Sequence, residues 1–534
     1  LYIYQGKTHN LLCSLRSLYL KMPPPPPPSL IYLALLVACL SNALGQDAEC
    51  NKKFFNADSF VCVCDASHCD FPGTIPPPES GKYTVITSSR EELRFQVVSG
   101  DLDSDVNEDA VLIHVNPELQ YQTMFGFGGA FTDATGINVV ALSDDTQDVL
   151  LKSYFDPEGI QYDLCRIPIA GSDFSTRPYS YDDVEGDTEL EHFALAEEDH
   201  LYKLPLIRRA IELSDRELLL FGSPWAPPAW MKVNGMFNGT GGLLPEMWQP
   251  YSNYFVKFVE AYEAEGAPMW GLTTQNEPMT GFDDWFWNTC AWTPEDQRDW
   301  VKTNLGPTLE TAGMRRLKLM IDDHNRDTLP WYPEPAMTDP QSNAYLDGIA
   351  LHWYSDGWTH PDVMEETHGL WPDKFLLYTE SCDGWNSAPD ERVNLGDWTR
   401  LENYASNIID DMNHWSTGWV DWNMALDMEG GPNWANNFVD SPIIINKESD
   451  EFYKNPMFYA IGHFSKFMLP GSKRVFSSTT DGAVWVTAVA NPDGTNAIVL
   501  LSWNDNPMSV SVNAEDGKVV NLELPAKSLT TLLV

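Results

Sequence analysis

Two short stretches hold the residues best suited to chemistry, TTQNEP at 273–278 and LLYTES at 376–381. Each is a run of strand character that stops at a polar tip carrying one carboxylate, Glu277 in the first and Glu380 in the second. Breaking a glycosidic bond needs such a pair. One carboxyl must be neutral to protonate the leaving oxygen and the other ionised to attack or to activate water, so their surroundings must separate two pKa values. Asn276 adds an amide beside the first acid, suited to a sugar hydroxyl next to the anomeric carbon. A single glutamate at a strand end is most often a solvated terminus; the case rests on two at matched positions.

The elements that must position this pair follow from the spacing. From about residue 121 the chain repeats a strand, turn, helix pattern. Eight candidate strands fall at 124–131, 163–170, 218–225, 270–277, 317–324, 348–354, 375–381 and 420–426. The clearest helix between them is 251–266, with Tyr254, Phe255, Phe258, Val259 and Tyr262 on one face. Eight such units predict an α/β fold, a (β/α)8 TIM barrel over 119–471, with both carboxylates on the C-terminal rim where barrels build their sites. The other strand tips carry Asp173, Trp225, Asp322, Asp323, His352, Trp353, Tyr354 and Trp422. Trp225, Trp353 and Trp422 are candidate platforms for the C–H faces of a sugar. Pro278 is expected to hold Glu277 extended and to end its strand there.

Outside the barrel, alternating runs at 83–89, 93–99 and 110–116 and again at 484–490, 496–503, 518–524 and 528–534 predict an all-β sandwich built from 76–118 and 472–534. Cys50, Cys62, Cys64 and Cys69 crowd into 46–75, which reads as a small disulfide-bonded N-terminal β module. Four cysteines allow three pairings, and C-x-C without a second close pair is poor zinc spacing. Cys165, Cys290 and Cys382 are scattered and read as free thiols. Cys382, two residues beyond Glu380, is expected to pack beside the site.

Residues 1–21 precede the first methionine, Met22, and read as upstream sequence rather than protein. Residues 22–45 read as a signal peptide: the apolar run 30–40 is too short to span a membrane, and Ala43 and Gly45 suit cleavage before Gln46. The sequon at Asn238 fits passage through a glycosylating pathway. With 77 acidic against 33 basic residues the formal charge is −44 at pH 7. Such a surface repels nucleic acid and suits an acidic lumen, where part of the charge is titrated away. GFGGAF (126–131) lacks the spaced third glycine of a dinucleotide loop, and His324 and His352 have no metal-ligand spacing, so neither cofactor nor metal is assigned.

The stretches TTQNEP, YTESC, FGGAFTDA, SPWAPPAWMK, ALHWY, GGPNWANNFVDSPII and MFYAIGHFSKF resemble the glucosylceramidases of glycoside hydrolase family 30, from about Cys50 to the C-terminus. The resemblance implies a retaining glycosidase that cleaves glucosylceramide to glucose and ceramide, with Glu277 as acid/base and Glu380 as nucleophile. It implies that Asp173, Trp225, Asn276, Trp422 and Asn437 hold the glucose hydroxyls, that Tyr354 lies near the nucleophile, and that Cys50 pairs with Cys62 and Cys64 with Cys69. It further implies a glycolipid substrate, a saposin-type activator, peripheral membrane contact and a lysosomal location, with secretion as the alternative. In this scheme the neighbouring carboxylate raises the pKa of Glu277. The entrance segment 281–292 departs from the family's equivalent, and relatives acting on a β-xyloside, β-fucoside or β-1,6-glucan, or a sugar binder without catalysis, are the rival readings.

Overall fold

A computed structural model describes residues 49–514 and 517–534. The upstream stretch and the signal peptide lie outside the described residues. No helix among those described is long and apolar enough to cross a membrane.

Eight parallel strands close into a barrel in which each pairs with its sequence neighbours. They are β1 (Gly126–Ala130), β2 (Leu164–Ile169), β3 (Leu219–Pro224), β4 (Met269–Thr273), β5 (Lys318–Asn325), β6 (Gly348–His352), β7 (Phe375–Glu380) and β8 (Ser416–Asn423). β8 closes the ring on β1 through Gly418 opposite Gly126 and Val420 opposite Gly128. Helices cover the outside; in Trp248–Ala264, Tyr254, Phe255, Phe258, Val259 and Tyr262 are all buried, as their spacing required.

Strand alternation layers the barrel interior. Leu164, Phe221, Met320, Ala350, Leu377 and Val420 form one apolar cluster from six strands. Two residues further along β2, β3, β6 and β7 the same register brings Arg166, Ser223, His352 and Thr379, all fully buried. The interior therefore changes within one layer from an apolar plug to a polar platform below the rim.

Two expectations need correction. β4 ends at Thr273, four residues short of Glu277, and β8 starts and ends earlier than the sequence indicated, with the next strand Ala425–Asp427 leaving the barrel for another sheet. That sheet has five strands: Lys52–Phe54 and Phe60–Cys64 pair onward with Glu451–Lys454, Ile443–Asn446 and Ala425–Asp427. The disulfides Cys50–Cys62 and Cys64–Cys69 staple its N-terminal edge. Two strands alone would not bury a face, so the cysteine-rich segment borrows two partners from the end of the barrel region and one from just beyond β8.

The remaining nine strands form one sheet, in which Lys82–Ser89, Gln96–Asp101 and Val111–Thr123 interleave with the six C-terminal strands. It folds over its own core, with Ile113, Val486, Ile498, Val512 and Leu532 in one buried cluster. His463, on the helix Pro456–Ser465, ties this sheet to the barrel through Ser88 and Thr531, at 2.9 and 2.8 Å.

Barrel closure leaves no room for side chains at the β1–β2 contact: a Cβ on Gly128 would lie 1.8 Å from the Leu164 carbonyl oxygen. Gly128→Ala is expected to destabilise the protein by about 3 kcal/mol, because a paired backbone cannot yield as a side chain would. Urea unfolding of the variant checks this.

Candidate active site

At the C-terminal rim a cavity of about 570 Å³ is lined by Asp173, Trp225, Asn276, Glu277, Tyr354, Glu380, Trp422 and Asn437. The eight residues that the resemblance placed at the site thus line one cavity. Its floor is organised by a residue the sequence reading did not single out. Arg166, fully buried on β2, donates from Nε to Ser223 Oγ at 3.0 Å, from Nη2 to Asn276 Oδ1 at 2.9 Å and Asp323 Oδ2 at 2.7 Å, and from Nη1 to Glu380 Oε2. Its guanidinium also lies 4.6 Å from the centre of the Trp225 ring. The available signal was an arginine in the inward register of an otherwise apolar strand, since a buried charge must find partners.

The second organiser is His352 at the end of β6. Its Nδ1 is 3.2 Å from Glu277 Oε1 and its Nε2 is 3.1 Å from Asp323 Oδ1. Asp323 also accepts from Thr273 and Thr379, both at 2.7 Å, and Arg166 and His352 hold its carboxyl well below the usual range against the cost of burial. Facing carboxylates at both ring nitrogens push His352 up to about 9 despite its burial.

One oxygen from each of Glu277 and Glu380 and a ring nitrogen of His352 lie within 4.8 Å of one another. That is well inside the about 6.5–9.5 Å between carboxyls that would leave space for a water, so the arrangement suits direct attack. Glu380 has both oxygens engaged: Tyr354 Oη donates to Oε1 at 2.7 Å and Arg166 to Oε2. Burial holds its carboxyl above the ordinary range against the pull of His352 and Arg166. Glu277 departs from expectation. Burial pushes it up, but the His352 hydrogen bond and nearby positive charge outweigh this, and it lies below its usual value. The sequence could not show that an imidazole would hydrogen-bond Glu277 directly.

The backbone at Glu277 is also not extended. Its φ is +43°, with its N–H donating to the Asp323 carbonyl at 2.9 Å and its carbonyl accepting from Thr280 N–H at 3.0 Å and Oγ1 at 2.6 Å. Asp322 and Asp323 have φ of +79° and +55° at a bulge in β5. Three acidic residues in the left-handed region are strained conformations held by these bonds, and they turn the side chains over the barrel mouth.

The upper wall is aromatic and amide-rich. Trp225 and Trp422 stack at 4.9 Å and 17°. Asp173 Oδ2 accepts from Asn433 and Asn437, each at 3.1 Å, and burial raises its carboxyl to about 7. Cys382 is buried beside Tyr354 Oη at 3.3 Å, and burial keeps it a thiol. Trp353 does not reach the cavity: alternation turns it outward when His352 turns in, and it packs edge-on against Tyr404 at 5.3 Å. Asn238 is half-buried, its amide nitrogen 3.4 Å from the Phe286 carbonyl.

A closed parallel barrel with two facing carboxyls at its C-terminal rim, next to stacked indoles and amides, is the architecture of a glycoside hydrolase. The chain belongs to glycosyl hydrolase family 30: its TIM-barrel domain model matches residues 124–468 and its beta sandwich domain model residues 471–532. It is 42% identical to "Putative glucosylceramidase 3" of Caenorhabditis elegans, over 91% of this chain and 95% of the worm protein. It is 40% identical to "Lysosomal acid glucosylceramidase" of Mus musculus, again over 91% and 95%. The crystal structure of SrfJ from Salmonella typhimurium superposes with a TM-score of 0.78 at 28% identity, covering 85% of this chain and 99% of that one.

Removing the central cation should leave Asp323 and Glu380 buried without the guanidinium that balances them. Arg166→Met is expected to cost about 3–5 kcal/mol of stability, read by denaturant unfolding. His352 is raised relative to its unfolded value, so its contribution to stability is complete below about pH 6.5 and is lost as pH rises through about 9. The stability gap between the wild type and His352→Gln should shrink across that window in unfolding curves collected from pH 5 to 9.5.

Proposed function

We propose that this hydrolase is a retaining β-glucosidase that cleaves glucosylceramide to glucose and ceramide by double displacement. The observation that carries the stereochemistry is the closeness of the Glu277 and Glu380 oxygens, within 4.8 Å. The names of the worm and mouse relatives support the substrate. In the first step a Glu380 oxygen attacks the anomeric carbon while the glycosidic oxygen takes a proton from Glu277. Arg166 and Tyr354 hold the two Glu380 oxygens, which fixes the attack direction and stabilises the anion. Tyr354 stays protonated, since burial pushes its phenol well above its usual value.

The proton comes from the Glu277–His352 couple rather than from an isolated raised carboxyl. His352, anchored on Asp323, keeps one proton at the Glu277 oxygen, and the approach of a basic leaving oxygen to Glu277 draws it across. In the second step Glu277 takes a proton from water as the glucosyl–Glu380 bond breaks, and the couple is restored. Asn276, held by Arg166, faces the sugar hydroxyl beside the anomeric carbon. Asp173 and Asn437 hold hydroxyls on the far side of the ring, against the Trp225 and Trp422 wall.

The same reading takes the protein through the secretory pathway, with a signal peptide at 22–45 and a glycan at Asn238, to the lysosomal lumen. There it meets its glycolipid at a membrane surface, assisted by a saposin-type activator. Phe282, Trp285 and Phe286, each 37–49% exposed beside the cavity mouth, support contact with the lipid part of the substrate. The working domain limits are 46–75 for the disulfide module, 119–471 for the barrel, and 76–118 with 472–534 for the sandwich.

A fluorinated β-glucoside inactivator followed by peptide mapping should place the label on Glu380, and β-glucose should be the first product seen by NMR. Glu277→Ala should lose at least about a hundredfold in kcat, with azide restoring turnover as β-glucosyl azide. α-Glucose as the first product would sink the scheme.

A further inference from the structure

Next to the catalytic cavity, and sharing Tyr354 and Trp385 with it as a common wall, runs a second groove of about 380 Å³. We propose that this groove binds a neutral β-linked oligosaccharide, so that the protein holds a glycan chain alongside the single sugar taken by its catalytic cavity. The proposal rests on the catalytic reading only for the sharing of that wall.

The floor is one face of the helix Trp398–Asn413, where Asn403, Ser406, Asn407 and Asp410 recur at the spacing that aligns side chains on a helix. Three tryptophans stand around it: Trp358 on the loop after β6, Trp385 after β7, and Trp485 on the sandwich strand Val484–Ala490. They are 70%, 36% and 38% exposed, a large apolar area left in water around a polar floor. Indole faces above amides and carboxylates match the two sides of a sugar, whose C–H faces stack and whose hydroxyls donate and accept.

The polar groups are pre-arranged with capacity to spare. Asn403 donates to Asp383 Oδ2 at 2.9 Å and Asn407 to Asp356 Oδ2 at 2.8 Å; Asp356 is further engaged by Tyr378 and Arg326, whereas Asp383 retains further lone pairs. Trp353, part of the same wall, has a buried Nε1–H with no acceptor among the described residues. That N–H is closed off from solvent, so the hydrogen bonding the groove offers rests on the amides and carboxylates of its floor.

Charge and polarity exclude the rival occupants. Arg326 is spent on Asp356, Asp410 and Asp411, so the groove's lining leaves no unpaired cation to hold a phosphate-bearing ligand. An acyl chain would have to desolvate the amide and carboxylate floor without offering it hydrogen bonds. The aromatic residues of segment 282–286, on the cavity itself, lack such a floor and differ from this groove in kind.

The test compares the Glu380→Gln protein, which should not turn substrate over, with and without Trp358→Ala. Titration calorimetry with β-1,6-linked glucotetraose should show about tenfold weaker binding when Trp358 is lost, and Trp358→Phe should recover most of it. Methyl β-glucoside, which needs only the catalytic cavity, should bind both equally. In an otherwise wild-type background, Trp358→Ala should hydrolyse an aryl β-glucoside at the normal rate. Unchanged tetraose affinity overturns the proposal, as does loss of binding to phosphatidylcholine vesicles with tetraose binding intact, which would make the surface a lipid contact. Failure of the wild type to hydrolyse the aryl glucoside would instead count against the catalytic reading.

Discussion

A single buried guanidinium sets the terms for the rest of the molecule. Arg166 sits at the level where the barrel interior turns from hydrocarbon to polar groups, and its guanidinium makes four hydrogen bonds, one each to a residue of β3, β5, β7 and the turn after β4. Burying such a charge is costly unless every donor is matched and the counter-charges are held in place. The barrel supplies that match, because parallel strands in fixed register deliver side chains to one layer from every direction. Asp323 balances the charge permanently, so the interaction with Glu380 is left to position a carboxylate and moderate its basicity.

Strain is concentrated where this network meets the rim. Glu277, Asp322 and Asp323 adopt left-handed backbone conformations in two adjacent turns, and the Glu277 N–H bonds to the Asp323 carbonyl. The same three residues contribute the carboxylate that meets His352 Nδ1, the carboxylate that anchors its Nε2, and the bulge that aims both. Backbone energy spent here is offset by hydrogen bonds that need this geometry, which couples the acid side of the site to β5 as rigidly as Arg166 couples the nucleophile side to β2.

Around the mouth the aromatic residues divide by what lies beneath them. Trp225 and Trp422 stack on each other as an inner wall, Phe282, Trp285 and Phe286 present an apolar lip, and Trp358 and Trp485 frame a polar floor. The sandwich contributes to the last of these through Trp485, so it shapes the surface beside the active site as well as burying the barrel's flank. Its attachment runs through buried polar contacts such as His463 between Ser88 and Thr531, where burial drives the imidazole down to about 3 and keeps it neutral.

Much of this was legible from the chain alone. Hydrophobic periodicity places the eight strands within a few residues, since burial dictates period and length locally, and polar tips mark the rim. The pair Glu277 and Glu380, the amide Asn276 and the tryptophans at strand tips stand out because their types are improbable at the ends of apolar runs. What the chain alone could not decide was set by contacts between strands far apart in sequence. Arg166 looks like an anomaly in β2 until Asp323, Asn276 and Glu380 arrive from other strands, and Glu277 looks extended before Pro278 until the β5 bulge bends it. Its pKa is held down rather than raised once His352 hydrogen-bonds it. Sequence determines which groups exist and which face they take, because those depend on local periodicity. Tertiary structure decides their pKa order and backbone strain, because electrostatics and steric fit depend on distances that only the closed barrel defines.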